Sequence, residues 1–415
     1  MASIRYTLWE ASDALGRHRL ALALVVVIVA AAIVYLYNPN LISIPIAFGS
    51  SAPSYMYCAG INATTHSPQT IMEYSRLSSS GMGKWTDVGN LPLNTTLVSC
   101  VANGGYLYCI EGHNKITSPA SGNSIARAAN YTSLDTYYAK ISNTTLGWSA
   151  TASYAGGSPS LCFASGSYIY CRSIDKHTTI PSAALPLPSP INPSTANTFS
   201  TPTSSPFQYW DYSALTPGGT GNWQSRPIIL KLVRSSCAVS NSYVYCVGGY
   251  NFTTYSLNKT VIPSPLAYSA PIESNGIIGR FVAATSYPIG IFGESCVTSG
   301  SYIYCIAGYE SPIVHSGTGV PVTISPVSSA YYASVSNGTI GAWKPTTDYP
   351  VNALGVHCVS SNGYVYCTGG FENTTDTGFV TSSYYAPLSG SGIGKWTKEA
   401  GSDLIGEGES CVAVQ

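Results

Sequence analysis

The residues of this 415-residue chain best placed to do chemistry are its twelve cysteines, and their spacing decides which chemistry that is. Five pairs repeat as Cys-x8-Cys: Cys100 with Cys109, Cys162 with Cys171, Cys237 with Cys246, Cys296 with Cys305 and Cys358 with Cys367. The surrounding text repeats too, as in SCVTSGSYIYCIAG (Ser295 to Gly308) and HCVSSNGYVYCTGG (His357 to Gly370), so the spacing marks a structural unit and not a metal knuckle. Two cysteines remain. Cys58, in SYMYCAG, matches the second half of the unit, and Cys411, in ESCVAV, matches the first half. A chain that begins and ends mid-repeat closes into a ring whose two ends share one unit, which predicts a bridge from Cys58 to Cys411 beside five local ones.

A second reactive set flanks the cysteines. Glu111, His113, Asp175, His177, Glu310, His315 and Glu372 follow the second cysteine of a unit, while Arg234, Glu294, His357, Glu407 and Glu409 precede the first. In a chain with 9% charged residues and zero formal net charge, this gathering reads as the mouth of a ligand-binding site. The competing reading is that these are solvated loop residues, because packed strands exclude charge. The histidines keep no common offset from the cysteines, so no metal site or cofactor is expected. Nucleophile elbows, phosphate loops and His-Glu-x-x-His helices are absent. So little basic charge also argues against a nucleic-acid partner.

Positioning these residues requires short antiparallel strands. Tyrosine (32 residues), serine, threonine and glycine dominate, the composition of a turn-rich all-β protein. From first to second cysteine a unit reads as a tight hairpin of strands A and B with the cysteines facing each other. A strand C ending near a tyrosine and a strand D starting at a tryptophan follow, pairing Tyr74 with Trp85, Tyr138 with Trp148, Tyr212 with Trp223, Tyr332 with Trp343 and Tyr385 with Trp396. The repeated Tyr and Trp read as packing between units, with sugar stacking as the alternative. Antiparallel order puts the A–B and C–D turns on one face and the B–C and D–A connections on the other. The second face carries the ionisable set and the long, varied loops, including the Pro/Ser/Thr-rich stretch within Ser173 to Pro206.

A hydrophobic strand, a double glycine after Tyr-x-Tyr and a spaced Tyr and Trp resemble the kelch repeat, over nearly all of Ser54 to Gln415. Gly248-Gly249 and Gly369-Gly370 match the double glycine in full, and Gly60, Gly112 and Gly308 in part. Arg172-Ser173 replaces it in one unit, and Arg280-Phe281 stands where another unit should have Trp. The resemblance implies an all-β, six-bladed β-propeller with four-stranded antiparallel blades. The sialidase box is approached by SNGTIGAW (Ser336 to Trp343), but its Asp is missing. Kelch-type copper-radical oxidases need a free cysteine, and every cysteine here has a repeat partner.

Ahead of the ring, Leu20 to Tyr37 is an unbroken apolar run, long enough for one transmembrane helix. Arg17, His18 and Arg19 precede it and no Lys or Arg follows until Arg76, which places residues 1–19 in the cytoplasm. A cleaved signal peptide is the alternative. Residues 38–53 then form a linker and 54–415 an extracytoplasmic propeller, where disulfides persist. Eight Asn-x-Thr sequons are glycosylation candidates there: Asn62, Asn94, Asn130, Asn143, Asn251, Asn258, Asn337 and Asn373. The linker enters the ring from the A–B/C–D side, so the long loops face away from the bilayer. The expected task is recognition of a glycan or a neighbouring surface protein. An exported carbohydrate-active enzyme or sugar isomerase, and a purely structural envelope component, are the alternatives.

Overall fold

The computed structural model describes residues 53–62, 70–92, 98–111, 114–115, 126–127, 134–142, 145–154, 156, 159–173, 208–228, 232–251, 260–311, 313–314, 326–372, 380–402 and 404–414. The span expected at 20–37, with its flanks 1–19 and 38–52, lies outside them. Among the described residues no helix is long and apolar enough to cross a membrane.

Six four-stranded antiparallel blades form a propeller. Blade I takes strands B (Ser54–Asn62), C (Ile71–Ser78) and D (Thr86–Asn90) from the start of the ring and strand A (Leu404–Val414) from its end. Blades II to VI each run A to D in order, beginning at Val98–Asn103, Pro159–Ser165, Ser236–Ser240, Ser295–Ser299 and His357–Ser361. Each strand A packs against the A strands of both neighbouring blades, and strand A of blade I closes the circle between blades VI and II. Serine hydroxyls link these inner strands: the amides of Cys100, Cys296 and Cys358 donate to the Oγ of Ser410, Ser236 and Ser295 in the preceding blade, at 2.8, 2.9 and 3.0 Å.

The hairpin at the head of each blade follows from its turn. Asn103-Gly104-Gly105, Asn241-Ser242 and Asn362-Gly363 turn with φ values of 56° and 80° at the two glycines of the first, 47° and 60° in the second, and 50° and 76° in the third. Positive φ at both central residues matches the twist of the flanking strands, which Asn and Gly tolerate best. The register puts each cysteine directly opposite its partner across the A–B ladder. All six expected disulfides form, with Cα separations of 4.1–4.2 Å. Cys100 bonds Cys109 in blade II, Cys162 bonds Cys171 in blade III, and Cys237 bonds Cys246 in blade IV. Cys296 bonds Cys305 in blade V, Cys358 bonds Cys367 in blade VI, and Cys58 bonds Cys411 in the closing blade I. No described cysteine is free.

The hydrophobic core is divided among the seams. One buried cluster lies between each adjacent pair of blades, from Met56, Tyr366 and Leu404 at VI/I round to Tyr304, Tyr349 and Tyr384 at V/VI. Because a neighbouring blade covers each face of strand B, its residues are buried almost without alternation, as in Tyr243–Val247. Strand D, at the rim, is mostly exposed.

Aromatic side chains latch the seams, as the packing reading expects. Trp85, Trp223, Trp343 and Trp396 each donate Nε1–H to a carbonyl of the preceding blade, at 3.0–3.3 Å. Strand B tyrosines reach the other way, into the C–D turn of the following blade: Tyr57, Tyr108, Tyr304 and Tyr366 donate to the carbonyls of Ser142, Thr216, Ser389 and Ser78, at 2.7–3.1 Å. Tyr245 instead accepts from the amide of Gly338 at 3.1 Å.

Candidate functional site

Strand B ends and strand A begins at the same end of each blade, so the described candidates Glu111, Arg234, Glu294, Glu310, His357 and Glu372 lie at one end of the ring. The structure splits them by depth. Arg234, just before strand A of blade IV, is exposed in a left-handed conformation with φ 55°. Glu310, after strand B of blade V (Tyr302–Tyr309), and Glu372, after strand B of blade VI (Tyr364–Thr368), are also exposed. Glu372 borders a cavity of about 310 Å³ with Val351 and Asn352. These three residues occupy one end of three consecutive blades.

Three other candidates lie deeper. Glu111 is 4% exposed at the end of strand B of blade II, where its amide donates to the Asp135 carbonyl at 3.0 Å. His357 opens strand A of blade VI half-buried, and burial of its imidazole pushes the pKa down to about 4. Glu294 is buried just ahead of strand A of blade V, and neither carboxyl oxygen makes a hydrogen bond of normal geometry. Burial pushes Glu294 up to about 8, opposed by the amides of Glu294 and Ser236 and by the charge of Arg172.

His113, Asp175, His177 and His315 lie outside the described residues, as do the sequons at Asn94, Asn130, Asn143, Asn258 and Asn373. The strands carrying Asn62, Asn251, Glu407 and Glu409 are described, but not those side chains. Asn337 is exposed in a turn with φ 45°. Among the described residues no group of three or more His, Cys, Asp or Glu could hold a metal ion.

Arg172 is the partner that the motif reading left out. It follows Cys171 on strand B of blade III (Tyr168–Ser173), where the other blades carry Ala59, Ile110, Val247, Ile306 and Thr368. Its side chain is 1% exposed and crosses into blade IV, donating to Ser235 Oγ at 2.6 Å and to the Ser235 carbonyl at 3.0 Å. Burial lowers its pKa to about 10, against the opposing charges of Glu294 and Tyr250. Glu294 reaches the same place from blade V and lies against Gly248, the first of the double glycine, where any Cβ would overlap its carboxyl. The sequence signal was a lone arginine in an otherwise uncharged repeat position.

Two further buried carboxylates are paired. Asp211 and Glu73 stand opposite Cys171 and Cys58 on strand C, where other blades have tyrosines. Tyr154 donates to Asp211 Oδ2 at 2.6 Å, Ser225 donates to Oδ1, and Ser402 donates to Glu73 Oε2 at 2.7 Å. Tyr154 and Ser402 join these carboxylates to the preceding blade, and Ser225 stays within blade III. Neither carboxylate opens to a ligand.

The fold and seams define a six-bladed, disulfide-bridged β-propeller. No family profile matches the chain, and no curated protein matches it. The solved structure of YjhT is similar with a TM-score of 0.52 at 12% sequence identity, covering 82% of this chain and 96% of its own. At that identity the likeness is one of fold alone.

Proposed function

We propose that this chain is an exported recognition protein on a kelch-type propeller, anchored to the membrane by residues 20–37. Its N-terminus is cytoplasmic and its propeller lies at the cell surface. The ligand is a glycan or a neighbouring surface protein, bound at the face of the B–C and D–A connections. Six disulfides support an oxidising compartment. One observation carries the binding reading: the exposed charged candidates Arg234, Glu310 and Glu372 share the end of the ring that bears the variable connections. A carbohydrate-active enzyme needs an acid or base open to substrate. The carboxyl with the most shifted pKa, Glu294, is enclosed with Arg172 and cannot serve as one.

The test is a glycan array probed with full-length protein in detergent, alongside the variant Arg234→Ala/Glu310→Gln/Glu372→Gln. Binding lost at unchanged Tm is the expected result. Binding retained there but lost on altering the Asn103-Gly104 or Asn362-Gly363 turns would put the site on the opposite face. Protease added to intact cells should release a fragment beginning shortly after Asn40, and protection of that fragment would contradict the orientation.

A further inference from the structure

At the rim between blades IV and V, on the face of the short turns, lies an open groove of about 600 Å³. Pro271, Val282, Ala283 and Ala284 give it an apolar floor, Arg280 a cation, and Asn337 sits in its wall. Val282 is 52% exposed, among the most exposed large hydrophobic side chains described. At this groove the seam departs from three of the others. At these three seams a glycine of the C–D turn receives a side chain from strand D of the preceding blade or from the residue just after it: Glu399 on Gly81, Thr151 on Gly219 and Thr346 on Gly392, each so close that a Cβ would overlap it. Here both partners are exchanged, with Thr339 in place of the glycine and Ala284 in place of the larger side chain. The exchange that empties the seam also supplies the threonine of Asn337-Gly338-Thr339.

That turn is held rigidly. Asn337 and Gly338 have φ 45° and 79°, and the Gly338 amide donates to Tyr245 Oη at 3.1 Å. Ser269 Oγ donates to the Gly338 carbonyl, and a Cβ on Gly338 would press on Tyr243. The backbone at Asn337 is thereby held at the wall of a groove lined by alkyl carbons and a few polar groups. A pyranose offers the matching surface, with a C–H face for the floor and hydroxyls for Arg280.

We propose that Asn337 is glycosylated and that its first N-acetylhexosamine seats in this groove, covering Val282. The inference goes beyond ligand binding on the opposite face and shares with it only the exported location. The experiment uses the full chain purified from the cells that make it, with peptide mass spectrometry for occupancy and hydrogen exchange for the 280–285 amides. Asn337 should carry sugar, and Asn337→Gln should speed exchange at 282–285 by roughly an order of magnitude. Val282→Ser should keep the glycan yet show the same loss of protection. An unmodified Asn337 beside occupied sequons elsewhere would overturn the proposal and leave the exported reading standing. Sugar at Asn337 with exchange unchanged in Asn337→Gln would overturn the seating, and no sugar at any sequon would overturn the whole proposal while leaving the disulfide evidence for export in place.

Discussion

The seam between blades VI and I and the seam between blades III and IV begin from the same strand B tyrosine and end differently. At VI/I, Tyr366 stacks on Tyr385 with ring centroids 6.1 Å apart and donates to the Ser78 carbonyl at 2.8 Å, while Trp85 reaches back to Ala400. At III/IV, Tyr170 stacks on Tyr212 at 6.3 Å in the same way, yet its buried hydroxyl has no hydrogen-bond partner. Phe281 takes the tryptophan position and lies flat on Trp210, with centroids 6.4 Å apart. The cause is the C–D connection of blade IV, which closes on itself through Glu273 N–H to Ile277 O at 2.8 Å and Gly276 N–H to Glu273 O at 2.9 Å. At the other end of the same seam Arg172 crosses to Ser235. The hairpins and disulfides are unchanged, so the ring tolerates a second way of joining adjacent blades.

The largest effect should come from the closing blade. Chain-entropy reasoning gives about 5–6 kcal/mol for the long loop closed by Cys58 and Cys411, against about 2.7 kcal/mol for each local bridge, both upper values before strain and residual structure. Cys411→Ser should therefore lower the denaturant midpoint more than the double variant that combines Cys100→Ser with Cys109→Ser. Equal losses would mean that the aromatic seams alone hold the ends together.

A pH effect should separate the III–V arc from the rest. Glu294 titrates near 4.5 in an ordinary environment and near 8 in the fold, so the stability tied to its buried neutral form is complete below 4.5 and lost as pH rises through about 8. His357 runs the other way: its pKa falls from 6.5 to about 4, so stability is lost as pH falls across that window. Thermal melts of Glu294→Gln should flatten the alkaline limb of the stability profile, and those of His357→Gln the acidic limb. A wild-type Tm that stays constant from pH 4.5 to 8 would contradict the burial assigned to Glu294.

The smallest effect compares the two tyrosines directly. Tyr366→Phe removes a satisfied hydrogen bond and should cost about 1 kcal/mol, whereas Tyr170→Phe removes an unpaired buried hydroxyl and should be neutral or stabilising by about the same amount. Denaturant titration of both variants reads the difference. Equal losses would show that Tyr170 has a partner after all.

Cysteine spacing, the half-units at Cys58 and Cys411 and the Trp positions were legible because each is local: a cross-strand pair, a turn and a rim residue recur at fixed offsets. Depth was not. Glu294 and Glu409 stand in the same Gly-Glu-Ser-Cys string, and nothing in it tells that Glu294 is covered by Gly248 of the neighbouring blade. Exposure at that end depends on what the adjacent blade presents across the seam, a long-range property. Arg172 was visible only as a broken glycine motif, since its partners Ser235 and Glu294 come from two other blades.

The two ends of the propeller complete one blade and are joined covalently. Peptide mapping of the full chain under non-reducing conditions tests it most directly. A Cys58 peptide linked to a Cys411 peptide should appear, beside five local Cys-x8-Cys links. A free thiol at Cys58 or Cys411 in the folded protein, or either one joined to another unit's cysteine, would contradict it.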